Sequence, residues 1–271
     1  CPDALQRAVD EKPASLVCIT HFLGFAADME RLVPIARKAG ALILQDACET
    51  MDLRDTDGQP MHQLGDITTW SFYHPHHLSS YGGGAVVSAK PDHHLLADSI
   101  SHWGRACTCH LDPKTCKAPP GFQHNFTYMR TGINVEMSEL NACFGRYQLQ
   151  HWPKMEEKRK AHYDILYKAL QPINSVTVYP ASNDNGSPFV FPITCPDGNA
   201  VAVIDRLAKK GIECRSLMGG AMTEQPAFTH LPHDGNVHAR AQAAQSFFIG
   251  IHQTLSTEDV REMAALVAKA L

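Results

Sequence analysis

At 271 residues, with 44% hydrophobic and 19% charged residues, the chain is long enough for one large core or two unequal domains and too apolar to be disordered. A net charge of -4 gives no electrostatic preference for nucleic acid or an anionic membrane, and no apolar run approaches the roughly 18 residues that a spanning helix needs. The opening CPDALQRAVDEKP lacks a signal peptide's basic and apolar regions, so the expected compartment is cytoplasmic, with neither nucleic acid nor membrane as a partner.

In chain order, ALQRAVDEKP reads as the end of a helix, ASLVCITHF as a buried strand and DMERLVPIARKAG as an amphipathic helix stopped by Gly40; ALILQDA follows as a second, apolar strand. A strand-helix-strand unit of this kind predicts a parallel sheet with ligands at the carboxyl ends of its strands, and Asp46 stands at one such end. DITTWSFY and GGAVVSA give two more strands on either side of a histidine-rich stretch, and HHLLADSISHWG resumes as helix. Residues 105–131, rich in Cys, Pro and Gly, form a segment too long for an idle linker. MSELNACFGRYQLQHW begins a helix capped at Ser138, and KMEEKRKAHYDILYKAL continues helical after Pro153. VTVYP, FVFPITC, VAVIDRLAKKG and STEDVREMAALVAKAL then alternate strand and helix. The expected organisation is a large domain over 1–165 and a small C-terminal α/β domain over 166–271.

Nine cysteines in a chain of this size point away from a disulfide scaffold and toward metal or redox use for some of them. Cys18, Cys143, Cys195 and Cys214 lie in apolar or helical segments and read as inert, buried thiols. Cys107, Cys109 and Cys116 form C-x-C-x6-C on an irregular segment, a spacing compatible with an iron-sulfur centre, with zinc, or with thiols that bind nothing. By themselves, the three histidines of SFYHPHHLSSYGGGAVV could equally pack or solvate a turn.

The order strand, Asp46, strand, SFYHPHH, glycines, strand resembles the large domain of the aspartate-aminotransferase-like fold (fold type I of the pyridoxal-phosphate enzymes). More closely, it resembles the DegT/DnrJ/EryC1/StrS sugar aminotransferase family. The resemblance implies that Asp46 pairs with the cofactor's pyridine nitrogen, that Ser71 contacts its phosphate, and that Glu49 belongs to the cofactor-binding residues. It implies that Asn134, in RTGINVEMSELNACFG, reaches the cofactor phosphate of a neighbouring subunit in a homodimer. Where the family carries its Schiff-base lysine, five residues after the serine, this chain has His76. An imidazole cannot hold the aldehyde covalently but can move a proton near neutral pH. The exchange resembles the family's sugar 3-dehydratases, and implies pyridoxamine 5'-phosphate (or pyridoxal phosphate) as cofactor and His76 as base.

That group has a branch with an iron-sulfur cluster and one without. Cys48, two residues after Asp46, would complete a set of four with Cys107, Cys109 and Cys116, and these resemble the 2Fe-2S ligands of the first branch. The implied function is 3-deoxygenation of a nucleotide-linked 4-keto-6-deoxyhexose, with electrons fed to the cluster by an NADH-dependent flavin and iron-sulfur reductase. The alternatives are a cluster-free dehydratase or a non-catalytic metal-binding homologue or subunit. IECRSLMGGAMTEQPAF resembles the first branch, which implies that Arg215, Gly219 and Gly220 lie near the substrate; Arg215 reads equally as a surface or interface arginine. Glu136 stands where most relatives have a basic residue. Family members also carry an N-terminal portion that supplies a phosphate cradle and further strands; the expectation is a longer polypeptide, a separately supplied N-terminal chain, or a reduced homologue.

Overall fold

A computed structural model describes residues 1–55, 57–106, 118–123, 126–181, 186–231 and 237–271. It divides into two compact units: residues 1–22 with 26–152, and residues 23–25 with 153–271. The division falls at Pro153, earlier in the chain than the boundary expected near residue 165.

The first unit is built on a four-stranded sheet in the order β1-β2-β3-β4, formed by β1 (Leu16–Thr20), β2 (Leu42–Asp46), β3 (Ile67–Ser71) and β4 (Gly84–Val87). β1, β2 and β3 are parallel, and β4 returns antiparallel to β3. α1 (Pro2–Glu11) and α2 (Met29–Lys38) pack together; Met29 and Ala36 of α2 are buried with Val17, Ile19 and Ile43 of the sheet. α2 begins where the Asp28 side chain accepts from Arg31 N and ends where Gly40 takes φ +74°, a conformation glycine adopts without strain.

Strand pleating decides which residues of β1 are covered. Val17 and Ile19 face the core while Leu16, Cys18 and Thr20 face outward, so Cys18 is exposed rather than buried. Cys143 is also exposed, whereas Cys195 is buried as expected and Cys214 is partly so. β2 is not wholly apolar either. Gln45 is fully buried: its Nε2 donates to the carbonyls of Met61 and His62 and to Thr68 Oγ1, and its Oε1 pairs with His21 Nε2 at 2.9 Å. Satisfying every polar atom is what makes an amide tolerable in a core strand.

Asp66, just before β3, is buried at the meeting point of several elements. It accepts from Ile43 N at 2.8 Å, Lys90 Nζ at 2.8 Å and Arg37 Nη1 at 2.5 Å, while its carbonyl accepts from Ser88 Oγ. Burial alone would raise its pKa; the bonds from Lys90, Ile43 and Arg37 outweigh that and hold the carboxyl well below the usual carboxylate range.

α3 (Pro91–Ser101) follows β4. The described ends of the segment at 105–131 are tied together: Ala106 N donates to Thr127 O, Met129 N to Gly104 O, and Arg105 bridges Tyr128. α4 (Glu139–Leu170) starts at Ser138, whose Oγ accepts from Asn141 N, and passes through Pro153 without ending.

The second unit holds the antiparallel sheet β5-β6-β8-β7: β5 (Thr177–Val178), β6 (Val190–Thr194), β7 (Cys214–Ser216) and β8 (Ser246–Gly250). Its core joins Phe191, Ile193, Phe247 and Ile249 to Leu166 and Leu170 of α4, Val203 and Leu207 of α5 (Ala200–Ala208), and Val260 and Val267 of α7 (Thr257–Ala270). α6 (Val237–Gln245) leads straight into β8. α7 begins with a reciprocal cap between Ser256 and Asp259.

Replacing Asp66 by Asn should destabilise the first unit by about 2–3 kcal/mol, toward the low end for a broken buried pair because the cations left behind are half exposed. The depressed carboxyl contributes stability fully above its unfolded value of roughly 3.9, and that contribution is lost as pH falls through the native value. Urea denaturation of both proteins at pH 7 and pH 3 checks this; the difference between them should shrink at the lower pH.

Candidate active site

The carboxyl ends of β2 and β3 bring four of the expected residues into one neighbourhood of the first unit. Asp46 ends β2, and its Oδ1 accepts from Cys48 N at 3.1 Å, fixing the turn that carries Cys48 and Glu49. Ser71 ends β3; its Oγ accepts from Tyr73 N at 3.2 Å. The chain then forms a loop closed at its base by Phe72 N donating to Gly83 O and Ser80 N to Phe72 O. Within that loop, a tight turn from Tyr73 to His76 is held by His76 N donating to Tyr73 O at 2.9 Å. The glycine run makes the return possible. Gly83 has φ +82°, and a Cβ there would lie 2.7 Å from Met137 Sδ; one on Gly84 would lie 2.4 Å from the Trp70 carbonyl oxygen.

His76 is partly buried, and burial lowers its pKa; a hydrogen bond to the Ser71 backbone and the charge of Asp46 act in the opposite sense, and His74 adds to the lowering. The net result is an imidazole that is neutral at pH 7. His77 is buried, with its ring edge-on to Trp152 at 5.7 Å, and His74 is exposed. The three histidines therefore occupy three environments: one packed, one solvated, and one in the field of Asp46.

Cys48 has its thiol pushed up to about 12, first by burial and then by Asp46. Cys107, Cys109 and Cys116 lie outside the described residues. Among the described residues, no group of three His, Cys, Asp or Glu side chains could hold a metal ion.

Asn134 is on an exposed segment that bridges to His102; its Oδ1 accepts from Glu136 N. The Glu136 carboxylate faces His102 Nε2 at 3.7 Å, which gives this acid a cationic-capable neighbour of its own. In the second unit, Arg215 on β7 is exposed, and its Nε and Nη2 bond to Glu213 Oε1 at 3.0 and 2.8 Å. Gly219 and Gly220 shape a turn in which Gly220 N donates to Leu217 O, Gly219 O accepts from Gln225 Nε2, and Gly220 takes φ +64°.

His21 was not anticipated from the sequence. It is buried beside the site, with Nδ1 accepting from Ala27 N and Nε2 on Gln45, and Asp46 lies within its electrostatic reach. A histidine at the end of a strand, followed by a loop, was the available signal.

Comparison with known proteins fits this arrangement. The profile of the DegT/DnrJ/EryC1/StrS aminotransferase family matches residues 1–268. The chain belongs to that family. Among curated relatives, lipopolysaccharide biosynthesis protein RfbH of Salmonella typhimurium is 30% identical over 94% of this chain and 62% of its own length. The dTDP-4-dehydro-2,6-dideoxy-D-glucose 3-dehydratase of Saccharopolyspora spinosa is 26% identical over 99% of this chain and 62% of its own. The chain thus spans 62% of the length of these two relatives. In the solved structure of the Escherichia coli GDP-4-keto-6-deoxy-D-mannose-3-dehydratase with bound hydrated PLP, the fold is shared with TM-score 0.86 at 19% identity, over 98% of this chain and 70% of that one. The fold is the aminotransferase fold, α/β with a mainly parallel sheet in the first unit. No helix among the described residues is long and apolar enough to cross a membrane.

In metal-free protein at pH 8, Cys48 should alkylate with iodoacetamide at least 100-fold more slowly than exposed Cys143, because a thiol near 12 is almost wholly protonated. Peptide mass mapping over a time course reads the two rates.

Proposed function

We propose that this chain supplies the catalytic base of a pyridoxamine-phosphate-dependent 3-dehydratase acting on a nucleotide-linked 4-keto-6-deoxyhexose. The observation that carries the proposal is His76: a partly buried imidazole, neutral at pH 7, in the turn after β3, within reach of the charge of Asp46. Several relatives bear the name of sugar 3-dehydratases, two of them GDP-4-keto-6-deoxy-D-mannose 3-dehydratases, which supports the reaction class. Other relatives are named sugar transaminases, and a histidine in place of the lysine argues against that chemistry here.

The residues present fit the amine form of the cofactor. A carboxylate stands at the end of β2 for the ring nitrogen, a serine hydroxyl ends β3, and the position of the aldehyde-holding lysine carries an imidazole. When bound, pyridoxamine phosphate supplies an amine that condenses with a ketone and a ring that accepts electrons from an adjacent carbon acid. Asp46 would keep the ring nitrogen protonated, Ser71 would hold a phosphate oxygen, and Glu49 would line the same pocket. His76 would take the proton from the 4'-carbon and, being neutral near pH 7, needs no prior deprotonation to do so. Asn134 would reach the phosphate of a neighbouring subunit in a homodimer, and Arg215, Gly219 and Gly220 would contact the substrate.

Cys48 with Cys107, Cys109 and Cys116 would hold a 2Fe-2S cluster, able to carry one electron at a time from an NADH-dependent flavin and iron-sulfur reductase. What supports this finer reading is the cysteine spacing and the place of Cys48 beside Asp46. The high thiol pKa means that metal binding must displace its proton, so cluster loading should be pH-dependent.

Two measurements test the proposal. Anaerobically purified protein should show an electron-paramagnetic-resonance signal of a reduced 2Fe-2S centre after dithionite; protein without iron or acid-labile sulfide would instead be a cluster-free dehydratase. The substitution His76→Asn should slow cofactor 4'-proton exchange at least 100-fold while leaving the cluster spectrum intact. Loss of both, or of neither, overturns the assignment of His76 as base.

A further inference from the structure

The turn that carries His76 contains a second aromatic contact, and this bears on how the base is aimed. The Tyr73 ring meets the His76 ring edge-to-face, centroids 6.0 Å apart at 84°, and also meets the His74 ring at 4.6 Å and 73°. One phenol thus touches two imidazoles. Tyr73 is itself anchored at both backbone ends, its N donating to Ser71 Oγ and its O accepting from His76 N. Pro75 lies between the two histidines; its ring fixes its own φ and biases His74 toward extended backbone, so the turn has few alternative shapes. Tyr73 is 53% exposed, so its place is set by these ring and backbone contacts rather than by core packing.

We propose that Tyr73 is a positioning residue for His76, its ring clamping the imidazole in the orientation that engages the Ser71 backbone, with His74 held on the same ring as a second imidazole. Perpendicular aromatic contacts are directional, and a ring fixed on one side by a hydrogen bond and on another by an aromatic edge has one favoured tautomer and rotamer. His74 is exposed, and a positive charge on its ring opposes charging of His76. The charged groups facing His76 are then Asp46 from β2 and His74 from its own turn, with opposite effects. That this serves catalysis rests on the reading of His76 as base; the clamp itself does not.

The test uses nitrogen-resolved NMR of histidine-labelled protein without cofactor, with His76→Asn identifying the His76 signals. Wild-type His76 should show a single tautomer and a titration midpoint below the ordinary value of about 6.5. Tyr73→Leu should mix the tautomers and, by loosening the bond to the Ser71 backbone that favours the imidazolium, move the midpoint downward, whereas Tyr73→Phe, which keeps the ring, should leave both unchanged. His74→Asn should move the midpoint upward by a few tenths of a pH unit without mixing tautomers. Unchanged tautomer and midpoint in Tyr73→Leu, in protein whose circular dichroism and melting match wild type, overturns the clamp. An unchanged midpoint in His74→Asn overturns the share given to His74. Tyr73→Gln gives the same readout should Tyr73→Leu not fold. Failure of His76→Asn to slow 4'-proton exchange would defeat the base assignment and leave the NMR result standing by itself.

Discussion

The carboxylate of Asp66 is the constraint on which the first unit depends. One buried charge collects a backbone donor from β2, a guanidinium from α2 and an ammonium from the turn before α3, while its own carbonyl receives Ser88. Buried ion pairs add little stability in general, because desolvation offsets attraction. What they supply here is register: the carboxylate has these partners only if β2, β3 and β4 are aligned as they are. That alignment puts the ends of β2 and β3 side by side, and with them Asp46 and Ser71.

The neighbourhood above those strand ends is shaped by competition between burial and charge. Burial pushes His76 toward neutrality, Cys48 toward a protonated thiol and His21 toward a neutral ring, while the charge of Asp46 favours the imidazolium forms and disfavours the thiolate. In the proposed roles, with Asp46 holding a proton on a bound ring and His76 accepting one from carbon, the two can share a site only if the base stays uncharged. Desolvation provides that. The buried His21–Gln45 pair ties the residue after β1 to β2, His21 Nε2 meeting Gln45 Oε1 at 2.9 Å while the remaining polar atoms of both side chains have partners of their own.

Membership of the DegT/DnrJ/EryC1/StrS family sets the fold within which these residues act. It does not choose between transamination and dehydration. His76 at the lysine position carries the proposal of dehydration, and with a chain that spans 62% of the length of its first relatives the complete reaction is a proposal. The departure at Glu136 is accommodated locally, its carboxylate lying toward His102.

The strand-helix-strand order, the parallel pairing of β1 and β2, the stop at Gly40, the cap at Ser138, and the place of Asp46 at the end of β2 and of His76 between β3 and β4 were all legible in the sequence, because periodicity and capping are local properties. The exposure of Cys18 was not, since an apolar run does not say which face of a strand is covered. Nor was β8, SFFIG, which lies directly after α6 without a turn signal between them. The burial of Gln45 depended on partners at residues 21, 61, 62 and 68 that no window of sequence joins. The residue at position 76 was fixed by the sequence; that it is neutral, half-covered and gripped by Tyr73 was decided by tertiary structure, because proton affinity and ring orientation are set by what surrounds an imidazole in space.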